Sequence, residues 1–206
     1  MNLVLVGLSH KTAPVNIREK LHFPEPQLPE AQELLRTQYD AQEGMILSTC
    51  NRVEVLAQTS DSPEAVRQLT DFICNFHKVP YDTLHQFLYD FTQIDVVRHV
   101  FRVAASLDSM VLGEPQILGQ VKTAFTTAQN AGTIGATLNQ LMNRAFFVAK
   151  RVRSETTIAS SAVSISYAAV ELAKKIFNDL KGKTVLILGA GKMSELAAKH
   201  LAGAGV

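Results

Sequence analysis

The sequence contains no tryptophan and only two cysteines among its 206 residues. Cys50 and Cys74 can form one bridge at most, which excludes a disulfide-rich scaffold, and a reducing compartment would keep both as thiols. A run of about 20 apolar residues, the length of a membrane span, is also missing. The N-terminus lacks the charged region and apolar core of a secretory signal. We therefore expect a cytoplasmic protein with no membrane segment.

The sequence also lacks an excess of charge of either sign, because it contains 20 Lys and Arg residues and 19 Asp and Glu residues. A net charge of +1 gives no global field that attracts nucleic acid, so an RNA contact must come from a local basic surface. The best local candidate is one predicted helix with four basic residues, although such a run is more often a solvated face. These residues are Arg144, Lys150, Arg151 and Arg153.

The first 91 residues predict the element order β-α-β-β-α-β. Alternating or β-branched runs predict strands at NLVLVGL, MILST, VEVLAQT and QFLYDF. Helical periodicity covers the segments 15–21, 27–39 and 63–77. This order is the split βαβ pattern of ferredoxin-like domains. The predicted fold class is therefore α+β, beginning with a ferredoxin-like subdomain at residues 1–91.

The remaining residues predict helices and then a second domain. Residues 92–156 should form a helical bundle, with its later helices at about 115–131 and 136–154. A further helix, about 161–177, precedes the linker NDLKGK. The apolar strand TVLILG then opens a new domain. We expect domain boundaries near residues 156 and 180.

The segment TVLILGAGKMSELAAKHL predicts a strand, a glycine turn and a helix. Gly189, Gly191 and Ser194 occupy the positions of a G-x-G-x-x-G/A pattern, in which a helix N-terminus binds a pyrophosphate. Ser194 replaces the third glycine, and a strand-to-helix turn without a ligand is the alternative. Only the first strand and helix of a nucleotide-binding half are present, so we interpret the chain as a fragment of a Rossmann-containing protein.

Cys50 lies between two predicted strands in the polar segment STCNR, residues 48–52. Cysteine usually behaves as a small buried hydrophobe, so a polar turn is an unusual place for it. The thiolate is the nucleophilic form, and a nearby cation or amide donor favours it. Arg52 could supply that cation or bind a substrate carboxylate with two hydrogen bonds. The alternative is a structural thiol beside an Arg52 that forms a surface ion pair.

His99 and the loop that follows its helix are further candidates. His99 is predicted at the edge of the bundle core, where it could be a hydrogen-bonded structural residue or a general acid/base. The loop SLDSMVLGEPQILGQVK carries polar side chains that could either hold a small polar substrate or cap helices. These side chains are Ser109, Glu114, Gln116 and Gln120.

Four segments, in order, closely resemble the glutamyl-tRNA reductase family: GLSHKTAPVNIREKL, STCNRVEVL, SLDSMVLGEPQILGQVK and LGAGKMSELAAKHL. The family reduces glutamyl-tRNA to glutamate-1-semialdehyde with NADPH in tetrapyrrole (porphyrin and haem) biosynthesis, the route to 5-aminolevulinate. The resemblance implies a catalytic domain at 1–156, a spine helix and linker at 157–180, and the start of an NADPH-binding Rossmann domain at 181–206. A C-terminal dimerization domain would be missing.

The resemblance also implies the roles of individual residues. Cys50 would attack the ester that joins glutamate to tRNA, and hydride from NADPH would convert the thioester to the semialdehyde. His99 would assist proton transfer or orient the ester. The implied substrate pocket is Thr49, Cys50, Asn51, Arg52, Ser109, Glu114, Pro115, Gln116 and Gln120, and the implied NADPH turn is Gly189, Ala190, Gly191, Lys192, Met193 and Ser194. No metal is expected.

The implied partners are glutamyl-tRNA, a second subunit of a homodimer, and the aminomutase that consumes glutamate-1-semialdehyde. The truncated chain is expected to lack reductase activity and to retain weak esterase activity. Two other classes stay open on the residues alone. One is a cysteine-dependent thioesterase or acyltransferase with an incidental glycine turn. The other is a non-catalytic RNA-binding module that uses the helix at 144–153 and does not need Cys50.

Overall fold

The computed structural model describes residues 2–39, 41–60, 62–159 and 165–206. The strands are β1 Asn2–Ser9, β2 Glu43–Ser48, β3 Arg52–Thr59 and β4 Tyr89–Thr92. The α-helices are α1 Val15–Lys20, α2 Leu28–Gln38, α3 Ser62–His77, α4 Tyr81–Leu84, α5 Ile94–Ala104, α6 Gln116–Asn130, α7 Ala136–Glu155, α8 Ile165–Phe177 and α9 Lys192–Gly203. Among these helices, none combines the length and the hydropathy that a membrane crossing requires.

The four strands form one sheet in the order β2-β3-β1-β4, and every neighbouring pair is antiparallel. This order confirms the predicted ferredoxin-like arrangement. In the register of the sheet, Ser48 pairs with Val53 and Ser9 pairs with Arg52. The three-residue connection between β2 and β3 therefore projects from one end of the sheet, and Cys50 is its middle residue.

Both faces of the sheet are covered, each by its own group of helices. Side chains alternate across a strand, so Val4, Val6 and Leu8 of β1 pack in the core formed with α2 and α3. Leu5, on the opposite face, packs with α5, α6 and α7. Glu54 faces the same side as Leu56 of β3, toward α5. The second layer is thus the expected helical bundle, and it brings α5 and α6 close to the end of the sheet that carries Cys50.

Periodicity predicts an apolar stripe of Val97, Val100, Phe101 and Ala104 on α5, and the buried face of the helix coincides with it only in part. The buried residues are Val96, His99, Val100, Val103 and Ala104, while Val97 and Phe101 are only partly buried. This rotation turns His99 into the protein, where 7% of its surface is exposed, instead of leaving it at the edge of the core. The physical reason is a polar partner on the sheet, because the imidazole meets the Glu54 carboxylate of β3.

The last segment differs from the prediction in one respect. Residues 184–189, predicted as a strand, pair with no strand in the described part of the chain, and Leu186 and Leu188 are 82% and 85% exposed. A strand requires a neighbour to satisfy its backbone N–H and C=O groups, and no such neighbour lies in the described ranges. The helix predicted after the glycine turn is present as α9. The predicted start of the preceding helix at 161–164 lies outside the described residues.

A glycine fixes the loop between α5 and α6. Gly113 has φ of +80°, and a Cβ atom there would overlap the carbonyl oxygen of Ile158. We expect Gly113→Ala to lower the free energy of unfolding by about 1–3 kcal/mol. Gly119 is the matched control, since it lies within α6 and a Cβ would meet nothing within 4 Å. Gly119→Ala should raise that free energy by about 0.5–1 kcal/mol. Urea unfolding of both variants tests this, and equal shifts would contradict it.

Candidate active site

The turn that presents Cys50 is closed by its own residues. The backbone N–H of Thr49 donates to the carbonyl oxygen of Arg52 at 2.8 Å. The Thr49 hydroxyl oxygen accepts from the backbone N–H groups of Asn51 and Arg52 at 3.2 and 3.1 Å. These hydrogen bonds close the turn, and Cys50 stands at its tip with an exposed side chain.

A cation that the sequence analysis did not identify holds this turn from the side of α1. The buried Arg18 guanidinium donates from Nη1 to the carbonyl oxygen of Cys50 at 2.5 Å and to Asn51 Oδ1 at 3.2 Å. Its Nε donates to the carbonyl oxygen of Ala13 at 3.2 Å. Arg18 thus fixes the backbone under the thiol and brings a positive charge close to it. Arg18 lies in GLSHKTAPVNIREKL, one of the four segments that carry the resemblance, but no site residue was expected in that segment.

The two cysteines should differ in reactivity. Cys50 is exposed, whereas Cys74 is 7% exposed in the core between α3 and the sheet. Burial raises the pKa of the Cys74 thiol, with a smaller contribution from Asp71. We expect iodoacetamide at neutral pH to modify Cys50 at least about tenfold faster than Cys74, because attack requires both access and thiolate. Peptide mass mapping over time measures both rates, and faster modification of Cys74 would contradict the assignment.

Arg52 is buried, with 1% of its surface exposed, so the alternative of a surface ion pair is wrong. Its Nη1 donates to Glu54 Oε1 at 2.6 Å. Its Nη2 donates to the carbonyl oxygen of Asp108 and lies 3.3 Å from Asp108 Oδ1. Glu54 and Asp108 therefore fix the orientation of the Arg52 guanidinium.

Glu54 is the centre of this buried network. Its Oε1 accepts from the Tyr89 hydroxyl at 2.6 Å and lies 2.7 Å from His99 Nε2. Burial alone would raise the pKa of Glu54, but the charge of Arg52 and the hydrogen bonds with His99 and Tyr89 outweigh it and lower that pKa to about 2. The carboxylate is therefore charged at neutral pH. Burial and the charge of Glu54 raise the pKa of Tyr89, which keeps its hydroxyl a donor.

His99 belongs to this network through its contact with Glu54. Its ring stacks on Phe91, with centroids 4.6 Å apart and an interplanar angle of 28°. Tyr89 contacts it edge-on at 5.7 Å. His99 is absent from the residues that line the cavity at Cys50. The structure thus links His99 to Arg52 through Glu54.

The pKa values of two acidic residues near Arg52, Asp108 and Glu114, shift in opposite directions. Asp108 accepts from Lys11 Nζ at 2.9 Å. Burial would raise the pKa of Asp108, but the hydrogen bond from Lys11 and the charge of Arg52 lower it overall. Glu114 shows the opposite result, because burial raises its pKa and the charge of Arg52 only partly opposes this.

A cavity of about 490 Å³, here called cavity A, opens at the Cys50 turn. Its other walls come from the loop before α6, from α6 itself and from the α8–α9 segment. Ten predicted site residues line it: Thr49, Cys50, Asn51, Arg52, Ser109, Glu114, Gln116, Gln120, Met193 and Ser194. Pro115 precedes α6 and, like Gly189, Ala190 and Gly191, is not among the lining residues. The Ser109 hydroxyl is buried without a hydrogen-bond partner in the described residues.

The residues of the glycine turn fit a nucleotide phosphate. Gly189 has φ of +105°, and Gly191 precedes α9 without a side-chain cap. A Cβ on Gly191 would meet nothing within 4 Å, so a phosphate can approach the backbone and the N–H groups at the start of α9. The Ser166 hydroxyl donates to the Met193 carbonyl at 3.1 Å, which ties the start of α9 to α8. The turn therefore opens toward cavity A through Met193 and Ser194.

The predicted basic helix is the exposed side of α7. The guanidinium carbons of Arg144 and Arg151 lie 5.1 and 5.9 Å from the ring centroid of Phe147. Arg151 also pairs with Glu155 at 2.7 Å. Arg153 turns back and donates to the carbonyl oxygen of Gly113 at 3.4 Å, and Lys150 is exposed. This surface is distinct from the lining of cavity A.

An exposed cysteine and a nucleotide-type glycine turn beside one cavity are the arrangement expected of an oxidoreductase with a cysteine nucleophile. The profile of the family described as "Glutamyl-tRNAGlu reductase, N-terminal domain" matches residues 6–156. The profile described as "Shikimate / quinate 5-dehydrogenase" matches residues 171–206. The chain belongs to the glutamyl-tRNA reductase family.

Individual relatives agree with this assignment. The chain is 56% identical over 200 residues to a glutamyl-tRNA reductase of Geobacter sulfurreducens and 54% identical over 200 residues to one of Pelobacter propionicus. Each alignment covers 97% of this chain and 46% of the relative. The solved structure of glutamyl-tRNA reductase from Methanopyrus kandleri matches with a TM-score of 0.70 and 38% identity, over 99% of this chain and 47% of that one. The chain spans about half the length of these relatives.

Proposed function

We propose that this chain carries out the acyl-transfer half of glutamyl-tRNA reduction, in which Cys50 takes the glutamyl group from glutamyl-tRNA as a thioester. The whole enzyme would then produce glutamate-1-semialdehyde for tetrapyrrole biosynthesis. The observation that carries the proposal is that Cys50 lines the same cavity as Met193 and Ser194, which follow the glycine turn at the start of α9. Membership of the glutamyl-tRNA reductase family supports the same substrate.

The acyl-transfer step follows from the groups at the turn. The Cys50 sulfur attacks the ester carbonyl, a carbon–sulfur bond forms, and the bond to the ribose oxygen breaks. The ribose oxygen takes a proton and leaves with the tRNA. Arg18 and the rigid Thr49 turn keep the sulfur at the tip, where the carbonyl can reach it. Covalent capture divides one difficult reaction into two easier ones.

The glutamyl group would be held by the polar wall of cavity A. We assign Arg52 as the cation for a substrate carboxylate, since Glu54 and Asp108 fix its guanidinium at this wall. The unpartnered Ser109 hydroxyl and the side-chain amides of Gln116 and Gln120 supply further hydrogen bonds. Glu114 lies at the same wall, and burial raises its pKa. His99 enters the proposal as a positioning residue that holds Glu54.

Gly189, Ala190, Gly191, Lys192, Met193 and Ser194 are the residues proposed to bind NADPH at the start of α9. When bound, NADPH supplies the hydride that reduces the glutamyl thioester to glutamate-1-semialdehyde and frees the sulfur. The relatives are about twice as long, which leaves room for the rest of this nucleotide domain and for a dimerization domain. We further propose a cytoplasmic homodimer whose aldehyde product passes to an aminomutase.

The experiment that tests this proposal separates the two half-reactions. The chain is incubated with labelled glutamyl-tRNA, with and without NADPH, and free glutamate and semialdehyde are measured separately. We expect slow glutamate release that does not depend on NADPH, and no semialdehyde, because this chain spans only about half the length of the relatives. A full-length relative should form semialdehyde with NADPH, which would exclude a simple thioesterase. An absence of glutamate release by this chain would contradict the proposal.

A further inference from the structure

A second cavity, here called cavity B, opens on the other side of the Cys50 turn. Its volume is about 480 Å³, close to that of cavity A. It is lined by Val15, Arg18, Glu19 and His22 from the α1 region, together with Thr49, Cys50, Asn51 and Met110. We infer that cavity B binds the terminal adenosine of glutamyl-tRNA, an inference that rests on the proposed acyl transfer to Cys50.

An ester carries two groups on its carbonyl carbon, so each group needs its own space next to the nucleophile. The carbonyl carbon under attack carries the glutamyl chain on one side and the ribose oxygen on the other. Thr49, Cys50, Asn51 and Met110 line both cavities, so the thiol stands on the boundary between them. Cavity A contains Arg52 and also receives Met193 and Ser194 of the glycine-turn segment, so the group that is reduced must stay there. The leaving ribose and its base then extend into cavity B.

The lining of cavity B suits a single nucleotide at an RNA end. Such bases are bound by stacking on flat or apolar side chains and by hydrogen bonds to their edges. Val15 and Met110 are 57% and 48% exposed and offer apolar contacts. The His22 ring is oriented by a 2.9 Å hydrogen bond between its Nδ1 and Ser48 Oγ, and it can stack on a base. The exposed Glu19 carboxylate can accept from the adenine amino group.

The charge at the boundary favours the same occupant. Arg18 lies beneath the turn and brings a positive charge to the wall of cavity B, toward which a ribose phosphate would extend. A third cavity of about 460 Å³ lies along α6 and is lined by Ser48 but not by Cys50. A group attached to the carbonyl under attack must reach Cys50, so this third cavity does not fit the leaving nucleotide.

The test uses Val15 because it lines cavity B but not cavity A, whereas Met110 lines both. Val15→Asp places a negative charge where the nucleotide would bind. Ile94→Asp is the matched control, since Ile94 is also an exposed β-branched first residue of a helix, at 65% against 57%. An acidic residue in the first helical turn is favourable in both variants, so both should fold.

Two glutamate esters separate the halves of the substrate. One is 3′-O-glutamyl adenosine 5′-monophosphate, and the other is glutamate α-trifluoroethyl ester, whose small alcohol is similar in acidity to a ribose hydroxyl. We expect Val15→Asp to lower kcat/KM for glutamate release from the adenylate ester by at least about tenfold, equivalent to ~1.4 kcal/mol. The trifluoroethyl ester should change by less than about twofold. Ile94→Asp should change neither.

The other outcomes each have a distinct meaning. An equal loss with both esters, or no loss with either, would overturn the assignment of cavity B while leaving acyl transfer to Cys50 intact. Release from both esters by Cys50→Ser at the wild-type rate would overturn the proposed function, and this inference with it. A selective loss in Ile94→Asp would show that the charge acts at long range and would also overturn the inference.

Discussion

Replacing Cys50 with serine is expected to lower glutamate release from glutamyl-tRNA by at least about a thousandfold. A serine hydroxyl is far less ionised than a thiol near neutral pH, and no general base contacts this position among the described residues. Losses of this size or larger follow removal of the nucleophile in other enzymes that form acyl intermediates. Initial rates with labelled glutamyl-tRNA, without NADPH, measure the effect.

The matched control is Cys74→Ala, which removes the other thiol. Cys74 packs against the sheet in the core, so its loss should cost about 1 kcal/mol of stability and leave the initial rate within about twofold. A large fall in rate for Cys74→Ala with an unchanged fold, or a Cys50→Ser variant that retains more than about a tenth of the rate, would contradict the assignment of the nucleophile.

Glu54→Gln should destabilise the protein by about 3–5 kcal/mol, because it removes the charge that compensates the buried Arg52. Glu33→Gln is the control, since Glu33 pairs with Arg36 at 2.7 Å on the surface with both side chains about half exposed. The control should change the free energy of unfolding by less than about 0.5 kcal/mol. Urea unfolding at pH 7 compares the two. Similar small losses in both variants would show that the buried network contributes little.

The pH dependence of the Glu54 effect has a definite sign. The pKa of Glu54 falls from its ordinary value of 4.5 to about 2 on folding. A depressed acid pKa stabilises the folded state fully above the ordinary value, and this stabilisation is lost as pH falls toward the folded value. The difference in unfolding free energy between wild type and Glu54→Gln should therefore be constant from pH 7 to about pH 5 and shrink below pH 4.5. A difference that grows on acidification would contradict this.

Periodicity predicted the sheet and the bundle well because both faces of the sheet are apolar. The β2–β3 hairpin could be anticipated at Cys50, since polar residues interrupt two apolar runs there. The rotation of α5 could not be anticipated, because it depends on a pairing between His99 and Glu54 across 45 residues of sequence. The strand expected at 184–189 failed for a related reason, since a strand is specified by a neighbour as much as by its own residues.

The site was predicted in part. Motif resemblance identified ten residues that line cavity A, but it gave no role to Arg18, Glu54 or Asp108. Glu54 had an available signal: it stands two positions after Arg52 on one strand, so the two side chains lie on the same face. Arg18 and Asp108 lie in two of the segments that carry the resemblance, but no spacing in the sequence showed that they meet the turn, because they approach it from other elements. His99 was expected near the ester, and the structure instead connects it to the wall of the cavity.

The measurement that tests the central claim most directly is the location of the glutamyl group after reaction. The chain is mixed with glutamyl-tRNA without NADPH, quenched in acid and digested, and the peptides are mapped by mass spectrometry. The account predicts one glutamyl group on the peptide that contains Cys50, removable by hydroxylamine as a thioester is. Free glutamate release with no adduct on Cys50 in rapidly quenched samples, or an adduct on Cys74, would contradict it.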